Sequence, residues 1–223
     1  MSSERRARTA ILGGCVAVVL AACDPPPNRP EACTLPPGDE LENVARVDPT
    51  IRLDLRYATP NNFTGKRLPG YELPRAMLRP QVAAALGRVQ RRLRTDGLGL
   101  KIFDAYRPVR ATLAMVDWAE RSGNAWVLDQ GYVARKSGHN LGTTVDLTLV
   151  HLSDGRELEM GTPFDTFSPA AHPANATGQV LQNRMLLARA MASEGFAPYD
   201  QEWWHFRYPG EFAPLDAPLG CFR

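Results

Sequence analysis

Residues 143–150, Thr143-Thr144-Val145-Asp146-Leu147-Thr148-Leu149-Val150, alternate apolar and polar side chains. A period of two is typical of a β-strand, because successive side chains of a strand point to opposite faces of the sheet. Asp146 stands in the middle of this strand, although aspartate is a poor strand former. A role as a ligand would explain its presence. Just before the strand, residues 137–142 read Ser-Gly-His-Asn-Leu-Gly, in which two glycines allow the chain to approach a ligand closely.

Helices and strands alternate along the rest of the chain. The spacing of apolar residues predicts strands over 51–57, 100–106 and 202–208, and helices over 80–94, over 179–194 and from Pro108 onward, the last with Leu113, Val116 and Ala119 on its apolar face. The sequence shows no internal repeat and no second proline-rich linker. We therefore predict a single α+β domain over residues 41–223, with a central, mostly antiparallel sheet flanked by helices.

The amino-acid composition is that of a globular protein. Of the 223 residues, 44% are hydrophobic and 22% are charged, which excludes collagen-like, low-complexity and wholly disordered chains. Lys and Arg number 26 against 24 Asp and Glu, so the formal net charge is only +2. This surplus is too small to indicate a nucleic acid as the natural partner.

The N-terminal residues resemble an export signal. Three arginines at positions 5, 6 and 8 precede an apolar run over residues 10–22. This run is too short to span a bilayer as a stable helix, but its length suits the apolar region of a signal peptide. It ends in Leu20-Ala21-Ala22-Cys23, which resembles the lipobox of bacterial lipoproteins.

We expect residues 1–22 to be removed as a lipoprotein signal peptide and Cys23 to carry the lipid. Residues 23–40 are rich in proline, which favours an extended tether. The expected location is periplasmic or otherwise extracytoplasmic, with the membrane contacted through the N-terminal lipid only. The alternatives are a disordered tail and an uncleaved anchor.

The four cysteines fit this expectation. Cys15 would leave with the signal peptide and Cys23 would carry lipid, so Cys33 and Cys221 remain. In an oxidising compartment these two can form one disulfide bond that closes nearly the whole chain, which would contribute at most about 4 to 5 kcal/mol. The alternative is a pair of unpaired, buried cysteines.

Two of the four histidines lie in sequence surroundings suited to a metal site. A catalytic zinc site commonly takes three protein ligands and a separate carboxylate that accepts a proton from water. His139, Asp146 and His205 can supply the ligands and Glu202 the carboxylate. Taken singly, a histidine beside glycine is usually a loop or core residue, an aspartate in a strand can be an edge charge, and Trp203-Trp204 is most often part of the core. Glu202 and His205 are three residues apart, so a bulge near Trp203 is needed to bring both to one face.

The same residues resemble the motifs of a known family. Ser137-Gly-His139 with Asp146, and Glu202-Trp-Trp-His205, are similar to the S-x-H-x6-D and E-x-W-H motifs of the zinc D-Ala-D-Ala dipeptidases of the VanX type. The resemblance extends to other segments in family order: Leu55-Arg56-Tyr57-Ala58-Thr59, Asn62-Phe63-Thr64-Gly65, Asp104-Ala-Tyr106-Arg107-Pro108 and Met160-Gly161-Thr162-Pro163-Phe164-Asp165. It implies a Hedgehog/DD-peptidase-like fold.

The resemblance also implies the chemistry. One Zn²⁺ per chain would be held by His139, Asp146 and His205, and D-alanyl-D-alanine would be hydrolysed to two D-alanines. Glu202 would act as general base and then as general acid, and Arg107 would stabilise the developing oxyanion.

Substrate contacts follow less directly from the motifs. Tyr57 and Asp165 could meet the ammonium group of a dipeptide, and Ser137 its carboxylate, although each could also be a local capping or turn residue. The expected partner is D-Ala-D-Ala or a peptidoglycan-derived peptide. The alternative functions are a D,D-carboxypeptidase or endopeptidase acting on peptidoglycan stem peptides, and a non-catalytic zinc-containing module that binds wall peptides.

Overall fold

A computed structural model describes Cys33 and residues 35–222 of the chain. The expected signal peptide, the lipidation residue Cys23 and the first part of the expected tether lie outside these residues. Within the described part of the chain, no helix has both the length and the apolarity needed to cross a membrane.

In the described part of the chain, seven strands form two sheets. In chain order they are β1 (Glu42–Asn43), β2 (Arg52–Leu53), β3 (Met77–Leu78), β4 (Leu98–Asp104), β5 (Thr144–His151), β6 (Ala197–Tyr199) and β7 (Glu202–Arg207). The larger sheet has the order β2-β4-β5-β7-β6, and β1 pairs with β3 in the smaller one. Among these described strands, β2 and β4 pair in parallel and the other pairs are antiparallel. The predicted α+β class with a mostly antiparallel sheet is confirmed.

Five α-helices lie within residues 35–222: α1 (Val44–Val47), α2 (Pro80–Arg94), α3 (Val109–Arg121), α4 (Trp126–Asp129) and α5 (Gly178–Ala192). Proline stands at the first position of α2, where its fixed φ angle suits a helix start and its missing N–H is not needed. The predicted helix over 80–94 is confirmed, and α5 agrees with the predicted helix over 179–194 to within two residues.

The prediction of a strand over residues 51–57 is wrong for most of its length. Pairing with β4 ends after Asp54, whose N–H donates to the carbonyl of Ile102 at 2.8 Å. The chain then turns into a short 3₁₀-helix, Arg56–Ala58, which buries the ring of Tyr57. Of the apolar residues in the alternating pattern, Ile51, Leu55 and Tyr57 are buried, whereas Leu53 on β2 is exposed. The pattern therefore spans two consecutive elements and does not mark one continuous strand.

The predicted inward face of α3 is also partly wrong. Leu113 is 57% exposed, whereas Thr112 and Met115 are buried. The Thr112 side chain accepts a hydrogen bond from the Asn140 amide at 2.9 Å. This polar contact and the burial of Met115 set the rotation of the helix, and they leave Leu113 facing solvent.

Strand β5 lies at the centre of the larger sheet and is buried on both faces from Thr144 to Val150. The structure joins Cys33 and Cys221 in a disulfide bond, with Cα atoms 4.9 Å apart and a sequence separation of 188. The beginning and the end of the described chain are therefore held together beside one another.

Candidate functional site

A row of polar residues crosses three neighbouring strands of the larger sheet. Asp146 on β5 is directly opposite Asp104 on β4 and directly opposite His205 on β7. Directly opposed residues of antiparallel strands project from the same face of the sheet. The β4 strand has a register shift between Ile102 and Asp104, so one extra residue there brings Asp104 into the row.

His139 reaches the same place from the loop before β5. The loop forms a 3₁₀-helix, Gly138–Leu141, whose first turn is capped by Ser137: its hydroxyl accepts a hydrogen bond from the His139 N–H at 3.2 Å. A side chain at position 138 would collide with Thr144 Oγ1, so glycine lets the loop lie against β5. Gly142 ends the turn with φ of 71°, a conformation that glycine adopts without strain.

The His139, Asp146 and His205 side chains converge on one point. Their ligand atoms all lie within 4.8 Å of one another. Asp146 Oδ2 lies 3.3 Å from His139 Nε2, and Asp146 Oδ1 lies 3.0 Å from His205 Nδ1. Asp146 Oδ1 is buried and makes no contact with hydrogen-bond geometry within the described chain, despite that short distance. Two imidazole nitrogens and a carboxylate that face each other in this way fit a shared metal cation.

Both imidazole rings can offer a nitrogen lone pair to a metal ion. His139 Nδ1 lies 2.7 Å from the carbonyl oxygen of Ala105. A carbonyl can only accept, so Nδ1 carries the proton and Nε2 presents its lone pair to the cluster. Burial lowers the pKa of His205, which keeps its ring neutral and able to coordinate. Burial acts to raise the pKa of Asp146, but its interactions with His139 and His205 outweigh this and lower it, so the carboxylate is ionised.

Glu202 lies beside this cluster of three ligand residues. Its Oε2 is 3.6 Å from His205 Nδ1, although the two residues are three apart on β7. In the pairing of β6 with β7, Pro198 is opposite Phe206 but the next residue, Tyr199, is opposite Glu202, so the register shifts between them. This irregularity lies where the sequence predicted a bulge near Trp203. The Glu202 side chain is buried. Burial, followed by the negative charges of Asp146 and Asp165, raises its pKa well above the usual value.

Arg107 approaches the cluster from the end of β4. Its guanidinium donates to Asp104 Oδ2 from Nε at 3.0 Å, and Nη2 lies 2.8 Å from the same oxygen. Arg107 Nη2 also lies 3.9 Å from Asp146 Oδ2, and the guanidinium stacks over the Tyr57 ring at 5.0 Å. A rigid, planar cation in this position is suited to stabilising negative charge on a bound substrate.

Sequence reasoning assigned no role to Asp104, which the structure shows to be a central member of the site. It is 1% exposed, accepts a hydrogen bond from the Tyr71 hydroxyl at 2.5 Å, pairs with Arg107 and lies 3.3 Å from His139 Nδ1. The signal present in the sequence was a carboxylate at the end of an apolar strand, three residues before an arginine.

A cavity of about 250 Å³ is lined by the three converging residues and also by Tyr57 and Asp165. The Tyr57 hydroxyl donates to both carboxylate oxygens of Asp165, at 3.0 and 3.2 Å. Asp165 has φ of 62°, a left-handed conformation that is uncommon for a residue other than glycine. Burial and the nearby charge of Asp146 raise the pKa of Asp165 to about 8. Ser137 also lines this cavity, so its side chain can contact a ligand while it caps the 3₁₀-helix.

Arg184 holds the loop that carries Asp165. This buried guanidinium donates to the carbonyl oxygens of Met160, Ala170 and His172, at 2.8, 3.0 and 2.9 Å. Sequence reasoning missed this function, since carbonyl acceptors have no signature in the sequence. His172 itself is not among the described residues that line the cavity, but its Nε2 lies 3.1 Å from the hydroxyl of Tyr132, which does line it.

Comparisons with known proteins identify the family of the chain. A family model described as D-Ala-D-Ala dipeptidase, peptidase M15, matches residues 38–223. The D-alanyl-D-alanine dipeptidase of Streptomyces coelicolor is 40% identical over 187 residues, covering 76% of this chain and 93% of that protein. The corresponding enzyme of Enterococcus faecalis is 37% identical over 179 residues, covering 74% and 89%.

A solved structure of the vancomycin resistance D,D-pentapeptidase VanY in complex with Zn(II) overlaps 60% of this chain and 74% of its own, with 19% identity and a TM-score of 0.38. The match of the family model over most of the chain, together with the identity to the two dipeptidases, establishes the family. The chain therefore belongs to the peptidase M15 family of D-Ala-D-Ala dipeptidases, which are metallopeptidases.

Proposed function

We propose that the chain hydrolyses D-alanyl-D-alanine to two D-alanines, with one zinc ion bound by His139, Asp146 and His205 and with Glu202 as general base. The observation that carries this proposal is the position of Glu202: a buried carboxylate beside, and not within, a group of three converging ligands. A site that only stored a metal would have no use for this fourth group.

The donor set favours zinc in a catalytic role. Two imidazoles and one carboxylate are typical protein ligands of catalytic zinc and leave a coordination position free, although cobalt and manganese accept similar donors. When bound, zinc supplies a Lewis acid that lowers the pKa of water to about 7 and polarises a carbonyl group.

Glu202 is suited to moving the proton. Burial and the nearby carboxylates raise its pKa above the usual value for glutamate, which strengthens the side chain as a base for the proton of the attacking water. The protonated side chain can then release that proton in the second step. The proton goes to the amide nitrogen, which leaves as the amine of the second D-alanine. The same side chain therefore acts as base in the first step and as acid in the second.

Arg107 stabilises the oxyanion that develops on the scissile carbonyl. Its orientation is fixed before the substrate arrives, because Asp104 accepts from one side of the guanidinium and the Tyr57 ring packs against its face. A donor that needs no reorganisation during the reaction gives the largest stabilisation of the transition state.

The ends of the dipeptide have complementary partners. Asp165, held by the Tyr57 hydroxyl, is placed to bind the ammonium group, and the Ser137 hydroxyl keeps its proton free to donate to the carboxylate. The cavity of about 250 Å³ is at the small end of the range for ligand sites, which is about 300–1,000 Å³. Its size favours a free dipeptide over a stem peptide.

Replacing Glu202 by glutamine tests this mechanism. We expect Glu202→Gln to retain about one zinc per chain and to lose about 10³-fold in kcat for D-Ala-D-Ala, because glutamine cannot accept the proton. The matched control is Glu211→Gln at an exposed position, which should keep full activity. Full turnover by Glu202→Gln would exclude Glu202 as the base. Wild-type turnover of a stem pentapeptide in place of D-Ala-D-Ala would favour the carboxypeptidase alternative.

We also propose that the chain is exported and anchored by lipid on Cys23. The support comes from the lipobox-like sequence and from the Cys33–Cys221 disulfide, since disulfides form and persist mainly in oxidising compartments. Metabolic labelling with a radioactive fatty acid should mark the wild type and Cys15→Ser, but not Cys23→Ser. Label retained by Cys23→Ser would refute lipidation at this residue.

A further inference from the structure

A second, larger cavity adjoins the catalytic one. It has a volume of about 520 Å³ and shares Lys136, Ser137, Gly138 and His205 with the catalytic cavity, so the two meet at the candidate metal ligand His205. We call it the basic groove: Lys136 and Arg207 supply its charges, and Leu141, Phe212 and Pro214 contribute apolar surface. A ligand that crosses the metal site can therefore continue into it.

The charges of the basic groove are all positive. No Asp or Glu of the described chain lines it. Lys136 and Arg207 are exposed, and neither forms an ion pair with another described residue. Arg135 also lines the groove, but its guanidinium lies 2.7 Å from Glu120 and is neutralised there. Two cations are thus left available for an anionic ligand.

Asp165 and Tyr57 line the catalytic cavity but not the basic groove, and the Tyr57 hydroxyl donates to the Asp165 carboxylate. In the proposed function Asp165 binds the ammonium group of the dipeptide. A peptide bound with its ammonium group at Asp165 and its scissile bond at the metal would direct its second residue toward Ser137. The side chain and carboxylate of that second residue then lie at the entrance of the basic groove.

We propose that the basic groove selects dipeptides whose second residue carries an acidic side chain, such as D-Ala-D-Glu. This inference rests on the proposed function and extends it to a substrate class. The methyl group of a second D-alanine would leave the groove empty, whereas a carboxylate on a two-carbon stem would pack its methylene groups on the apolar surface and pair with Lys136 or Arg207.

Binding without turnover tests the proposal. The protein is zinc-loaded Glu202→Gln, titrated by calorimetry with D-Ala-D-Glu and with the neutral isostere D-Ala-D-Gln. We expect D-Ala-D-Glu to bind about fivefold more tightly, the upper range for exposed ion pairs, and this preference to shrink in 0.5 M salt. In the same background, Lys136→Gln/Arg207→Gln should bring the ratio of the two affinities close to one.

The control removes two positive charges elsewhere. Arg91 and Arg94 are exposed on α2. The double variant Arg91→Gln/Arg94→Gln should keep the fivefold preference for D-Ala-D-Glu over D-Ala-D-Gln. Equal affinities for the two peptides, absence of binding of both, or loss of the preference in this control would overturn the proposal. Failure of the wild type to cleave D-Ala-D-Ala would instead overturn the proposed function, and the affinity comparison would still decide whether the groove binds acidic ligands.

Discussion

Asp104→Asn is the substitution that most directly probes how the site is held together. Asparagine has nearly the same shape as aspartate but no charge, so the packing around β4 is preserved. The change leaves the buried guanidinium of Arg107 without its partner at 2.8 Å, and the nearest remaining carboxylate oxygen, Asp146 Oδ2, is 3.9 Å away. Tyr71 also loses an ionised acceptor at 2.5 Å.

The expected loss of folding free energy follows from the burial of the Asp104–Arg107 ion pair. Removing one partner of a buried ion pair costs about 3 to 5 kcal/mol, because the other charge stays buried and uncompensated. Asparagine still offers one acceptor oxygen, so we expect the lower value, about 3 kcal/mol, and a fall in Tm of about 10 °C for a chain of this size. Loss of the fixed orientation of Arg107 should lower kcat about 100-fold, the effect of removing one oxyanion donor.

Thermal unfolding followed by circular dichroism, and turnover of D-Ala-D-Ala at 25 °C, measure the two effects. The matched control is Asp216→Asn: Asp216 accepts comparable hydrogen bonds from Arg110, at 2.9 and 3.0 Å, but both side chains are exposed. This surface pair should contribute less than about 1 kcal/mol. An Asp104→Asn protein with wild-type Tm and kcat would refute the role we give to Asp104.

Two further predictions concern pH and covalent structure. Because the pKa of Asp165 is raised to about 8, its carboxyl group is protonated below that pH and cannot pair with an ammonium group, so KM for D-Ala-D-Ala should fall as pH rises from 6 toward 8. Asp165→Asn should raise KM and flatten this dependence; a flat wild-type profile would contradict it. Cys33→Ser/Cys221→Ser opens a loop of 188 residues, so Tm should fall by about 10 to 20 °C, the equivalent of about 5 kcal/mol, with turnover at 25 °C retained. Unchanged Tm would count against this stabilisation.

The ligand cluster could be anticipated because its members lie in short local patterns. Asp146 interrupts an otherwise regular strand, and Glu202 and His205 are so spaced that a bulge was required; the structure has that bulge and brings these side chains together with His139. A polar residue in an otherwise apolar strand indicates a role in a site even when the residues that contact it in the fold are unknown.

Asp104 and Arg184 could not be assigned roles in this way. The partners of Asp104 include Tyr71, 33 residues earlier, and His139, which is brought near by the pairing of β4 with β5. Arg184 binds carbonyl oxygens that every residue possesses. Such roles depend on strand register and loop path, which are set by packing over the whole domain. The same limit explains why the ring of Tyr57 was expected on a strand and lies on a 3₁₀-helix.

The bond between Cys33 and Cys221 has a practical consequence for handling the protein. A protease that cuts any loop between the two cysteines leaves both fragments covalently joined, so a nicked molecule would run as intact on a gel until a reducing agent is added. Because the two Cα atoms are 4.9 Å apart, a tag or fusion partner added after residue 223 would emerge next to the segment that enters the domain. The disulfide bond therefore places Cys33 and Cys221, near the two ends of the described chain, on the same side of the domain.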